Sequence, residues 1–496
     1  MPDLSRVLTF AVVASIVSTS KGDAQIHLTP SAKRCEPAPA GGAPAIQWLQ
    51  RAKAVTLPDS TGQVLTFRSY YDIALWEQSD RMYEPYIPNV FDRNMWYDPQ
   101  SGLIARQPPE RPIAAGAQAA ELIGPTEAYF IRDTIAMRIP QADSRPGALH
   151  SLNPWHVLRR WDARAAEVQV VSLCTYREQP RIVLSLDTER LYLTVSDATP
   201  VKLEREEAHY LFGQVKAEYL WSTWWGVRGG GRYPVASFLQ YDGETYHRLS
   251  MGVGTARLVA RDSAPRFTIP ANITTPPANL TSMTADPDTV RVSANTWMLV
   301  TRAYTQAVTL QRDTVFVLDA TSSEARARAD SAWIAKLFPG QHPIVVVVTD
   351  LAWPHISGVR FWVARGATIV SHRNSEAFLR MVVDRKWTRA PDALENARRT
   401  ARFRFVGVTD SLRLAGGAVT VHALRGQSTE GAIGAWVPGD QFFWAGDYVQ
   451  GGGDSPYARD VADTLRALGI APAKIGAQHV TLSDGPEFMR RHAARQ

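Results

Sequence analysis

The strongest constraint on the fold is a run of four valines, 345–348, inside the stretch VVVVTDLAWPHISG. So apolar a run reads as a strand buried on both faces, which is the habit of parallel sheets. Its neighbours agree. Residues 314–319 (TVFVLD) form a second apolar strand, Thr321 and Glu324 have the spacing of a capping box, and a helical pattern runs through Ala332, Trp333, Ile334 and Leu337 to Pro339-Gly340. Strand, helix and strand make a β-α-β unit, whose two strands are parallel. The loop that follows, with Thr349, Asp350 and His355, lies where such sheets carry chemistry, outside the carboxyl end of a strand.

The same alternation continues to the end of the chain. Strands are expected at 367–370, 403–408, 418–424, 431–437, 441–446 and 473–477, with helical pieces across 374–400 and at 456–468. A final amphipathic helix carries Phe488 and Met489.

Before residue 270 the rhythm is different. Period-two patterns at 64–70, 181–186, 190–195 and 214–221, parted by Gly, Pro and Asp clusters, read as antiparallel strands. Aromatics are dense there, with Tyr70, Tyr71, Trp76, Tyr83, Tyr86, Trp96, Tyr97, Trp221, Trp224 and Trp225 filling a sheet face or lining a concavity. Gly229-Gly230-Gly231 reads as a turn, because no helix pattern follows it. The Pro/Thr/Asn-rich stretch 271–288 reads as a linker. The chain of 496 residues is too long for one core, and it divides into a β-rich domain at 61–270 and a mixed domain at 289–496. Residues 25–60 read as a loose lead-in with a short helix at 45–54.

Arg6 followed by the apolar run 7–17 and the polar stretch STSKGDAQ has the pattern of a secretory signal, 1–24, which implies an exported, periplasmic or extracellular protein. No other stretch approaches the ~20 apolar residues of a spanning helix, so no transmembrane segment is expected in the mature chain. Two cysteines, Cys35 and Cys174, could pair in an oxidising compartment, but sequence does not show that they meet. The net charge of +6 is spread without a basic run and points to no nucleic-acid partner. There is no G-x-S-x-G elbow, Walker-type loop or dinucleotide fingerprint.

Four pieces, in order, resemble the metallo-β-lactamase superfamily: DTVFVLDA, IVVVVTDLAWPHISGVRFWVARGATIVSH, STEGAIGAWVPGDQFFWAGD and IGAQH. Within them GVRFWVARGATIVSH resembles the GLR-x-x-VA-x-GATI-x-x-H run of one branch. The resemblance implies a C-terminal αββα sandwich, behind an antiparallel β domain, in a mixed α+β chain. Residues 186–211 resemble the half-barrel sheet of lipoprotein-carrier proteins, which implies a lipid or other small-molecule ligand for that domain.

The family loop T-H-x-H-x-D-H is altered here. Asp350 and Ala352 stand at its first two His positions, Pro354 at its Asp and His355 at its last His. Ser428 falls at the turn His, Asp447 at the bridging Asp and His479 at the C-terminal His. Ala and Pro cannot ligate, so one half of the two-metal centre is lost. The other half keeps His355, Asp447 and His479, and two His with a carboxylate can hold a single catalytic zinc with an open position. Asp350 is the candidate to orient or deprotonate a water there. A structural reading covers the same residues: His355 bonded to backbone, Asp447 ordering the loop 451–453, and His479 at the surface, with no metal bound. His372, at a family position that is no primary ligand, reads as structural, and His422 as part of a strand face. The first reading is a metal-dependent hydrolase acting on an ester, lactam or phosphate-type bond. The second is a non-catalytic binding or scaffolding protein of the cell envelope.

Overall fold

The computed structural model describes residues 34–38, 41–73, 89–107, 114–139, 146–176, 179–242, 244–275, 286–301, 304–426, 429–450 and 456–492. The proposed signal, Trp76, Tyr83, Tyr86, Ser428, the glycines at 451–453 and most of the proposed linker lie outside them. Among the described residues the chain is strand-rich, with one 15-stranded, one 7-stranded and one 6-stranded sheet.

The 15-stranded sheet is built mostly from consecutive antiparallel hairpins, as the alternating patterns predict. The strands Gln179–Leu186, Glu189–Thr194, Pro200–His209 and Gly213–Gly226 follow one another in it. One face carries Leu184, Leu191, Leu203, Tyr219 and Trp221, which share a hydrophobic cluster with Trp155, Leu158 and Trp161 of the helix Pro154–Asp162. Asn153 caps that helix, its side chain accepting from the Trp155 N–H.

In its described residues the lead-in is not loose. Arg34–Pro37 adds an edge strand beside Gln169–Tyr176, and Cys35 is disulfide-bonded to Cys174, its register partner. The helix Ala45–Thr56 buries Leu49 and Ala52 in the same cluster. The short helix is where it was expected, and the strand and its covalent tie are what the loose reading lacked.

The 7-stranded sheet contains the β-α-β unit as read. Thr314–Leu318 lies parallel to Ile344–Val347, which lies parallel to Thr368–His372. The intervening helix spans Glu324–Leu337, but its cap differs from the expected one. Ser323, not Thr321, accepts from the Arg326 N–H. Asp319 and Ser322 both adopt left-handed backbone (φ 72 and 73), which turns the chain so that the Thr321 hydroxyl instead meets Gln306 Oε1 at 3.3 Å. Phe316, Leu318, Val347 and Val370 of this sheet share a cluster with Val421, Ile433, Ala435 and Trp444 of the 6-stranded sheet. The helices Glu324–Leu337, Val359–Ala364 and Glu376–Asp384 pack on the other side of the first sheet. Pro456–Ala467 and Gly485–Arg491 pack against Phe443, Ala445, Ile475 and Ala477 of the second.

Candidate metal centre

Strand ends of the two smaller sheets deliver the candidate residues to one place. Asp350 follows Ile344–Val347, and His355 sits in the one-turn helix Trp353–Ile356 just beyond. Phe442–Trp444 and Lys474–Ala477 are parallel neighbours, and Asp447 and His479 lie just past their carboxyl ends. The ladder continues through the turns that bear them: Ala445 N–H donates to Gly476 O (2.9 Å) and Gln478 N–H to Gly446 O (2.8 Å). Gly446 has φ +59, and a Cβ there would fall 2.2 Å from Thr349 Oγ1, so only glycine lets the Asp447 turn close against the Asp350 loop.

His355, Asp447 and His479 converge. Each offers one ligand atom within 4.8 Å of the others. The two imidazole centroids are 5.7 Å apart, and His479 Nε2 lies 2.9 Å from Asp447 Oδ1. His355 and Asp447 are buried, whereas the His479 side chain is 34% exposed, so the cluster meets solvent on the His479 side. Tyr304 lies against both imidazoles, at 5.5 and 5.4 Å between ring centroids.

The donor set suits a zinc ion. Asp350 Oδ1 is 2.9 Å from His355 Nδ1, which leaves Nε2 as the ligating atom, the arrangement by which carboxylates orient metal-binding histidines. His479 Nε2 already meets Asp447 Oδ1, and the three candidate ligand atoms lie within 4.8 Å of one another, so small side-chain shifts suffice to set all three around one ion. Burial opposes charge on His355, but the carboxylates of Asp350, Asp447 and Asp319 outweigh it and raise its pKa to about 9.

Asp350 does more than face the site. Its Oδ1 also accepts from the Ala352 N–H at 2.8 Å, and Oδ2 meets Thr349 Oγ1 at 3.3 Å. Ala352 and Pro354 bring no ligating atom. His372 and His422 are elsewhere engaged: His372 Nδ1 accepts from the Asn374 N–H, and His422 pairs with Thr420 Oγ1. The glycines 229–231 form a turn, with Gly230 N–H donating to Val227 O at 2.9 Å.

Two participants were not assigned roles from sequence. Asp319, fully buried at the end of Thr314–Leu318, accepts from Thr349 N–H and Oγ1 (both 2.8 Å), Trp444 Nε1 (2.7 Å) and Gln478 Nε2 (2.8 Å). It ties together the strand ends that carry Asp350, Asp447 and His479. Burial, reinforced by the Asp350 charge, raises its pKa to about 6. Its place after an apolar strand was the available signal. Tyr304, in the turn before Thr305–Gln311, had none.

No family model matches the chain, and no curated protein matches it in sequence. Among solved structures the chain is similar to the DIM-1 metallo-beta-lactamase, at 12% identity over 42% of this chain and 96% of that one, with a TM-score of 0.33. It is also similar to a metallo-beta-lactamase from Erythrobacter litoralis (13% identity, 42% and 94% covered, TM-score 0.33). A third is the metallo-beta-lactamase from Hirschia baltica (11% identity, 42% and 96% covered, TM-score 0.32).

Proposed function

We propose that this is an exported, hydrolase-like protein of metallo-β-lactamase fold, its C-terminal part an αββα sandwich, with one zinc site on His355, Asp447 and His479. The observation that carries the reading is the convergence of those three side chains, with Asp350 holding the far nitrogen of His355. The chemistry a zinc ion would supply there is Lewis acidity, enough to make a water ionise near neutral pH. The chain's own residues do the rest. Asp350 holds the proton at His355 Nδ1 and is read as the group that orients or deprotonates a water. Tyr304 walls one side, and the exposed flank of His479 is the entry for an ester, lactam or phosphate-type substrate. The Cys35–Cys174 disulfide supports export, since such bonds persist in oxidising compartments. The 15-stranded sheet, one face of which packs on the helix Pro154–Asp162, is read as a half-barrel domain for a lipid or small-molecule ligand.

The loss of ligating atoms at Ala352 and Pro354 favours a second reading, a non-catalytic envelope protein with a relict site. Metal analysis of protein purified without chelator separates the two. The first reading expects one zinc per chain, multiple-turnover hydrolysis of an ester, lactam or phosphate panel, and loss of both in His479→Ala. Absence of zinc after dialysis against it, with His479→Ala indistinguishable from wild type, leaves the second.

A further inference from the structure

The loop that carries His355 is held from two directions, and one of them comes from the 15-stranded sheet. Ala320 N–H donates to His355 O at 3.2 Å and Ser322 N–H to Pro354 O at 2.6 Å, which pins one side. On the other side lies Trp353, the first residue of the one-turn helix and fully buried. Its indole meets the edge of Phe212 at 4.7 Å and of His209 at 5.0 Å between ring centroids. Phe212 lies in the turn that joins Pro200–His209 to Gly213–Gly226 in the 15-stranded sheet, and His209 ends the first of those strands.

That turn is shaped for the contact. His209 Nδ1 accepts from the Leu211 and Phe212 N–H groups, both at 3.2 Å, which curls the tip and aims the Phe212 ring. Gly213 has φ +68, and a Cβ there would lie 2.5 Å from the Trp387 indole, so the tip is pressed against the C-terminal part with no room to spare. Arg385 Nε donates to Phe212 O at 2.9 Å, its guanidinium lies 5.2 Å from the Phe212 ring centroid, and it pairs with Asp242. Phe212 and Trp353 belong to one buried cluster that spans both parts of the chain.

A four-residue helix has almost no stability of its own, so its position is whatever its anchors impose. Trp353 is two residues from His355, and Pro354 between them restricts the backbone that joins them. We infer that the 209–213 turn of the 15-stranded sheet is a positioning element of the metal loop, with Phe212 and His209 setting the place of His355 through Trp353. Phe212 touches neither metal nor substrate. The chemical consequence rests on the metal reading above, whereas the mechanical one does not.

The test uses the full chain and its Phe212→Ala and Phe212→Leu variants. Hydrogen–deuterium exchange of peptides covering 350–358 is the first readout. Phe212→Ala should exchange faster there, and Phe212→Leu, which refills most of the volume, should return towards wild type. Zinc affinity by chelator competition should weaken about tenfold or more in Phe212→Ala, the cost typical of losing support behind a ligand. The absorption spectrum of the cobalt(II) form should shift with it. Phe488→Ala, buried against the other sheet, serves as a control of lowered stability and should leave the 350–358 exchange as in wild type. If Phe212→Ala lowers the melting temperature but leaves that segment's exchange unchanged, the turn is ordinary core and the inference is overturned. If wild type takes up no zinc, the metal reading fails, and the exchange data still decide whether the turn positions the loop.

Discussion

The Asp350 carboxylate and the His355 imidazole form a buried pair, Oδ1 to Nδ1 at 2.9 Å, in which the acid sets the direction of the base. With Nδ1 occupied, Nε2 is left to face Asp447 and His479. Asp350→Ala should weaken zinc binding about 10- to 100-fold, and Asp350→Asn, which keeps an acceptor without the charge, should fall between. In the metal-free protein the same substitutions should lower the elevated His355 pKa, read by imidazole titration in NMR.

Arg326 is a second buried charge, and it supports the segment that bears Tyr304. Its guanidinium donates to Asp330 (2.8 Å), Leu299 O (2.9 Å), Thr301 Oγ1 (3.1 Å) and Tyr304 O (3.2 Å). Arg326→Met leaves Asp330 buried without its partner and should cost about 3–5 kcal/mol, measured by denaturant unfolding. The double variant Arg326→Met/Asp330→Leu should recover much of that loss, because it removes both charges together.

The disulfide closes a long stretch of chain, with Cys35 and Cys174 separated by 139 residues. Long closures restrict the unfolded chain most, and losing this one should cost about 2–4 kcal/mol. Cys35→Ser/Cys174→Ser should melt lower than wild type under non-reducing conditions. The difference should vanish when wild type is fully reduced.

His156 gives a pH dependence of known sign. Burial lowers its pKa to about 3, with the His150 and Arg160 charges adding to the effect. The imidazole is therefore neutral in the folded chain and protonates near its ordinary pKa of ~6.5 when unfolded. A depressed folded-state pKa means stability that is complete above about 6.5 and lost as the pH falls towards 3. Between pH 7 and 5 this group should remove about 2 kcal/mol. His156→Gln should show a correspondingly smaller loss in unfolding experiments at the two pH values.

Strand ends were the legible part of the site. An apolar run ending in a polar residue marked Asp350, whereas Asp447 and His479 were picked out by the resemblance to the metallo-β-lactamase motif at strand ends. The capping box at Thr321 misled, since the left-handed turn at Asp319 and Ser322 moves the cap to Ser323. The lead-in misled as well, because composition is silent about the pairing of Arg34–Pro37 with Gln169–Tyr176. Asp319 could be located but not interpreted, because its partners Thr349, Trp444 and Gln478 come from three separate strand ends.

By itself the sequence determined the change of rhythm between the two halves, the parallel core of the second, and the residue types able to ligate a metal. These follow from periodicity and side-chain chemistry, which act over a few residues. Tertiary structure alone decided that His355, Asp447 and His479 meet, that Asp350 turns towards His355, and that Phe212 of the distant sheet seats Trp353. Those relations depend on which strands become neighbours and how tightly their turns close, and packing across the whole chain settles that.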